Sequence, residues 1–266
     1  MAIDQSLAGR TAVITGGAGG IGLACAQAFA TAGATLVILD ISLAAAQAAA
    51  KSVGCHAVQA DVGDEASMST ALATVERLTG GADILVNSAA IFQAPVKAMK
   101  LRMSKWDDVV RVSQRGTFLA CTMFGTRMAD RGGGAIVNIA SVAGTRAMPL
   151  HAYGPAKAAV IAMTASLAAE WGMSGVRVNA VSPGFTRTAA VQSEINGGRN
   201  PSAPILAGTP MGRLVEPDEV AQAALFLASH AASAITGVNL PVDCGWLAGG
   251  GWQAYGGLPR DPTVAS

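Results

Sequence analysis

Seven short apolar runs recur along the chain, each five or six residues long and several rich in β-branched side chains. They are Thr11–Thr15, Thr35–Asp40, His56–Asp61, Asp83–Asn87, Ala135–Ala140, Arg177–Val181 and Val238–Val242. Alanine-rich segments of helical length separate them, near residues 20–32, 42–53, 65–79, 104–129, 153–172 and 217–229. Near-continuous apolar strands that alternate with helices predict a mainly parallel sheet with helices on both faces. Seven such units fill 266 residues, which leaves no room for a second domain. The fold class is therefore α/β, one doubly wound domain over residues 1–266.

Composition agrees with a mostly buried sheet. The chain is 51% hydrophobic and 13% charged, against about 25% charged in an ordinary globular domain. Mean hydropathy is +0.42, yet no apolar stretch reaches the eighteen or so residues of a membrane span. A net charge of +1 and the absence of any Lys/Arg cluster argue against a nucleic-acid partner. The polar stretch Met1–Arg10 does not read as a secretion signal. Cys25, Cys55, Cys121 and Cys244 stand apart without metal-ligand spacing, so reduced thiols in a cytoplasm and no metal site are expected.

Between the first strand and the first helix lies Thr15-Gly16-Gly17-Ala18-Gly19-Gly20-Ile21-Gly22. Glycines let the backbone turn tightly and approach a pyrophosphate, while the helix N-terminus offers unpaired N–H groups and positive dipole. In this strand-to-helix context the cluster reads as a dinucleotide loop of a Rossmann-type domain. Asp40 ends the second strand; its carboxylate can accept ribose hydroxyls and would repel a 2′-phosphate. Neither the loop nor Ile41 supplies a cation to hold such a phosphate. NAD is favoured over NADP. Asp61 and Val62 end the third strand, in position to meet the adenine.

At the other end of the cofactor, the fifth strand leads to Ser141, and Tyr153 and Lys157 follow at a spacing of i and i+4. That spacing projects both side chains from one helical face. A phenol of pKa about 10 is a weak base at neutral pH, and a nearby ammonium stabilises its phenolate. Ser141 can orient a substrate oxygen for proton transfer. His151 lies two residues before Tyr153. With Gln93 it is a candidate substrate contact, in a pocket to which Phe92, Val142, Met148, Phe185 and Trp246 also contribute.

In this order the pieces resemble the short-chain dehydrogenase/reductase family over nearly the whole chain. The matching positions are Thr15–Gly22, Asp40, Asp61, Asn87-Ser88-Ala89-Ala90, Ser141, Tyr153, Lys157, Asn179, Pro183-Gly184 and Asp243. The resemblance implies Tyr153 as acid/base, Ser141 as the residue that positions the alcohol or carbonyl, and Lys157 as the group that lowers the tyrosine pKa and holds a ribose. It implies cofactor contacts from Gly16, Gly19, Gly20, Ile21, Asp40, Ile41, Asp61, Val62, Asn87, Pro183, Gly184, Thr186 and Thr188. It implies a lid over residues 185–216, and a homotetramer or homodimer built through helices 104–129 and 153–172. The Gly-rich tail 245–266 is expected either to dock or to fray.

The chain departs from the family pattern twice. Ser88 and Ala90 stand where the family has Asn and Gly, and Ser113 stands where it has a fourth catalytic residue, an Asn that holds a water linking the lysine to solvent. A shorter hydroxyl there implies a weakened relay. The expected activity is an NAD-dependent oxidoreductase that interconverts a secondary alcohol, such as a sugar or polyol, and its ketone. The alternatives are a 3-oxoacyl-type carbonyl reductase and a non-catalytic NAD sensor.

Overall fold

The computed structural model describes residues 5–197 and 202–259. Residues 198–201 of the expected lid and 260–266 of the tail lie outside these, as does the start of the polar N-terminal stretch. One seven-stranded sheet runs in the order β3-β2-β1-β4-β5-β6-β7, with every neighbouring pair parallel. The strands are β1 (Thr11–Thr15), β2 (Thr35–Asp40), β3 (His56–Gln59), β4 (Ile84–Asn87), β5 (Gly134–Ile139), β6 (Val176–Pro183) and β7 (Asn239–Val242). Helices α1 (Gly20–Thr31), α2 (Leu43–Val53), α3 (Glu65–Thr79), α4 (Met103–Val109), α5 (Thr117–Asp130) and α6 (Tyr153–Trp171) follow the first five strands. After β6 come α7 (Ala189–Asn196), α8 (Ser202–Ala207) and α9 (Pro217–Ala228), and after β7 comes the single turn α10 (Trp246–Gly249).

Alternation along each strand divides the core between two faces. Ile14, Ile38 and Val86 pack with Phe29 of α1, the alanines of α2 and Leu225 of α9. Their neighbours Val13, Val37 and Leu85 pack on the opposite face with Met68 of α3, Phe124 of α5 and Trp171 of α6. Local chemistry sets the helix ends. Ser42 and Asp64 accept N–H groups from the first turns of α2 and α3, and Gly54 and Gly80 close those helices in the left-handed conformation. Glu216 and Glu219 form a capping box at α9, with Pro217 in its first turn.

The expected strands and helices are present with ends shifted by one or two residues, and β3 stops at Gln59. The larger difference is in 104–129, expected as one helix. Residues Val110–Gly116 form a π-helical stretch between α4 and α5. Ser113 lies at its centre, fully buried, where the wider turn lets its hydroxyl bond the backbone of Ile91. Such insertions cluster at functional sites, and periodicity alone cannot reveal an extra residue in one turn.

Candidate active site

The strand order reverses between β1 and β4, and ligands of open α/β sheets bind outside the carboxyl ends of the strands at such a switch point. The loop after β1 is drawn tight there. A Cβ on Gly22 would lie 2.2 Å from the Gly16 carbonyl oxygen, and one on Gly16, at φ +64, would lie 2.7 Å from Cα of Ala89. Thr15 Oγ1 accepts the N–H groups of Ser88 and Ala89, at 3.2 and 3.3 Å, tying this loop to the one after β4. The space beside Gly19 is open, and no side chain caps the N-terminus of α1. A tight glycine turn facing an uncapped helix start fits a pyrophosphate.

Asp40 reaches back to that loop, accepting the N–H of Ala18 at 3.2 Å and that of Ser42 at 3.1 Å. Ile41 beside it is exposed. Asp61 accepts Nη1 of Arg111 with both oxygens, at 3.0 and 2.9 Å, and the N–H of Gly63 at 2.8 Å. The sequence reading had no place for Arg111, which stands 50 residues away on the π-helical stretch. Val62 is buried beside it. Asn87 ends β4, inside the crevice. Its amide donates to Asn138 across the β4–β5 pair at 2.9 Å and to the Cys121 sulfur, while its own Oδ1 is buried without a protein partner.

Across the crevice, Ser141 follows β5 and accepts the N–H of Ala143 at 3.1 Å. A Cβ on Gly144 would lie 2.8 Å from the backbone carbon of Lys157, so this turn packs directly on α6 and carries Ser141 to the tyrosine. Burial pushes the Tyr153 phenol up to about 12, and a hydrogen bond with Ser141 pulls the other way. Lys157 is almost wholly buried, and desolvation lowers its ammonium to about 8. Its Nζ donates to the carbonyl of Ile139 at 2.6 Å.

Ser113 makes no direct hydrogen bond to that lysine. Its hydroxyl accepts the N–H of Ile91 at 3.0 Å and donates back to the Ile91 carbonyl at 3.4 Å, a clamp on the backbone after β4. Gln93 is buried and bonded to the backbone of residues 94, 149, 152 and 153, which leaves its amide no free end for a substrate. His151 sits half-buried in the turn before Tyr153.

The segment after β6 starts beside the glycine loop. Thr188 caps α7, and its methyl lies 3.6 Å from where a Cβ of Gly20 would stand. Thr186 is buried with its hydroxyl donating to the Gly184 carbonyl, which follows Pro183 at the end of β6. The start of the tail docks here too. Trp246 meets Phe185 edge-on, with 5.7 Å between ring centroids, and Arg146 donates to the Leu247 carbonyl at 2.8 Å. Farther along, Trp252 and Tyr255 are exposed. Among the described residues no cluster of His, Cys, Asp and Glu could hold a metal, and no helix is long and apolar enough to cross a membrane.

A family model described as enoyl-(acyl carrier protein) reductase matches residues 16–247. The chain belongs to the short-chain dehydrogenase/reductase family. The galactitol 2-dehydrogenase of Rhizobium johnstonii is 45% identical to this short-chain dehydrogenase/reductase over 249 residues, 90% of this chain and 96% of that one. The D-threitol dehydrogenase of Mycolicibacterium smegmatis is 42% identical over 250 residues, 91% and 95% of the two chains. A crystal structure named ribose-5-phosphate isomerase, from Brucella melitensis 16M, superposes with a TM-score of 0.95 at 47% identity, covering 97% of this chain and 100% of that one. As a member of this family the protein is an oxidoreductase that interconverts an alcohol and its carbonyl compound, and the family uses nicotinamide cofactors.

Proposed function

We propose that this short-chain dehydrogenase/reductase oxidises a secondary hydroxyl of a polyol or sugar alcohol with NAD, Tyr153 being the acid/base. The observation that carries the reading is the convergence of Ser141, Tyr153 and Lys157 at the carboxyl end of the sheet. Ser141 holds the substrate oxygen beside the phenol. The Tyr153 phenolate takes the hydroxyl proton, and the Lys157 ammonium, fixed by the Ile139 carbonyl, stabilises that phenolate. When bound, the nicotinamide ring accepts the hydride from the carbinol carbon. The glycine loop, Gly16 to Gly22, would hold the pyrophosphate, Asp40 the adenosine ribose, and Asp61 and Val62 the adenine. Pro183, Gly184, Thr186 and Thr188 would flank the nicotinamide.

NAD rather than NADP is favoured by Asp40, because Ala18, Ile41 and Ser42 around it carry no cation. The polyol class is favoured by the galactitol and threitol dehydrogenases it resembles. Assembly as a homotetramer or homodimer is supported by exposed Phe118 on α5 and the exposed alanines 158, 162, 165 and 169 of α6, a flat apolar face. Four free thiols suit a reducing cytoplasm.

The test is purified protein with NAD or NADP against galactitol, threitol, simpler secondary alcohols and, in the reverse direction, a 3-oxoacyl thioester. NADH formation on a polyol is expected, with Tyr153→Phe losing about 10²–10⁴-fold in kcat while still binding NAD. Turnover confined to the thioester would establish the acyl reductase instead. An aldose–ketose isomerisation that proceeds without NAD, or Tyr153→Phe as active as the parent, would overturn the reading.

A further inference from the structure

The amide of Gln93 can accept two hydrogen bonds and donate two, and all four are filled by backbone. Oε1 accepts the N–H of Ala152 at 2.8 Å and that of Tyr153 at 3.4 Å. Nε2 donates to the carbonyls of Ala94 at 2.9 Å and Pro149 at 3.4 Å. The side chain is only 1% exposed.

These bonds land where α6 lacks a local cap. The first N–H groups of any helix have no partner inside it. Ala152, at the N-cap position, has no side chain that can accept one. Gln93, 59 residues earlier in the chain, supplies the missing acceptor to Ala152 and to the helix residue that carries the phenol. Its neighbours hold the same assembly. Phe92 meets the Tyr153 ring edge-on, 5.4 Å between centroids. Both backbone polar groups of Ile91 are engaged by the Ser113 hydroxyl. Residues 91–93 are thus pinned by the π-helical stretch at one end and pin the first turn of α6 at the other.

We infer that Gln93 is a positioning residue for Tyr153: its buried amide caps α6 and fixes the phenol relative to Ser141 and Lys157, and it does not contact the substrate. The inference rests on the acid/base reading of Tyr153. A displacement of about 1 Å at a reacting group is enough to cost on the order of 10²-fold in rate.

Gln93→Leu removes all four bonds, and Gln93→Glu keeps the acceptor for Ala152 and Tyr153. With a polyol and NAD, Gln93→Leu is expected to lose roughly 10–100-fold in kcat, with KM for the alcohol and Kd for NAD within about twofold. Gln93→Glu, which keeps the acceptor but turns a carboxylate oxygen toward the Ala94 and Pro149 carbonyls, is expected to restore only part of that loss. A rise in KM with kcat unchanged would make Gln93 a substrate contact and overturn the inference, as would an unchanged pair of constants. If the leucine variant does not fold, Gln93→Asn, one methylene shorter, withdraws the cap and takes its place.

A second readout is independent of turnover. The chain has two tyrosines, so in a Tyr255→Phe background the ultraviolet absorbance of tyrosinate titrates Tyr153 alone. Beside the phenol stand Ser141 after β5, whose hydrogen bond lowers its pKa, and Lys157 of α6, 5.6 Å from the ring centroid. Loss of the cap moves the phenol away from Ser141, whose hydrogen bond lowers its midpoint, so that midpoint is expected to rise in Gln93→Leu. An unmoved midpoint overturns the positioning role. If the parent oxidises no alcohol, the acid/base reading is what fails, and the titration still decides the placement of Tyr153.

Discussion

The ammonium of Lys157 lies 5.6 Å from the centroid of the Tyr153 ring. One turn of α6 separates the two residues, so the helix itself sets the distance. The two titrate in opposite directions because burial disfavours the charged form of each, phenolate and ammonium alike.

Burial of Lys157 has a consequence for stability. With its pKa lowered from 10.5 to about 8, the unfolded chain binds more protons than the folded one between those values. Stability from this group therefore rises with pH through that window, and the cost of burying the charge is fully present below about 8. Replacement by an apolar side chain of similar length removes the cost. Lys157→Met is expected to be more stable than the parent at neutral pH, by an amount on the order of 2–3 kcal/mol, and the gain should shrink as pH rises toward 10.5. Urea unfolding of both proteins at neutral and alkaline pH measures it. A gain independent of pH would mean that the lysine is not the titrating group.

The proposed preference for NAD rests on Asp40. Asp40→Ala removes a carboxylate placed for two ribose hydroxyls, and hydrogen bonds to a charged group contribute about 1.5–3 kcal/mol each. NAD is expected to bind on the order of 10²–10⁴-fold more weakly, while NADP binding improves as the repulsion disappears. Calorimetric titration with each dinucleotide reads both effects. Parallel weakening of the two would show that the variant has only disturbed the Ala18 and Ser42 contacts.

Ser113 distinguishes a relay from a clamp. Ser113→Ala leaves the N–H of Ile91 without its partner, a cost of about 1–3 kcal/mol for a buried group. The melting temperature is expected to fall, while the pH dependence of kcat keeps its midpoints, because the hydroxyl does not bond Lys157. A shift of those midpoints with an unchanged melting temperature would restore the relay.

Much of the local geometry around the proposed site was legible before any coordinates, and the residues show why. The glycines from Gly16 to Gly22, the carboxylate of Asp40 and the Tyr153–Lys157 pair act through short spacings, which strand and helix geometry convert directly into position. Ser141 is legible because it follows a strand whose direction the parallel sheet dictates. The interrupted helix at Val110–Gly116 was not, since one extra residue per turn leaves the apolar pattern almost unchanged.

By itself, then, the sequence determined the parallel α/β sheet, the tight glycine turn between β1 and α1, and the placing of Tyr153 and Lys157 one turn apart on one helix, all features carried by neighbouring residues. Only the tertiary structure decided which distant groups support them: Arg111 on Asp61, Ser113 on Ile91, and Gln93 on Ala152 and Tyr153. Those partners are separated by 50, 22 and about 60 residues. No local propensity encodes such pairs. They meet because parallel pairing brings the carboxyl ends of all the strands to one edge of the sheet, and because a buried polar group is costly unless a partner satisfies it.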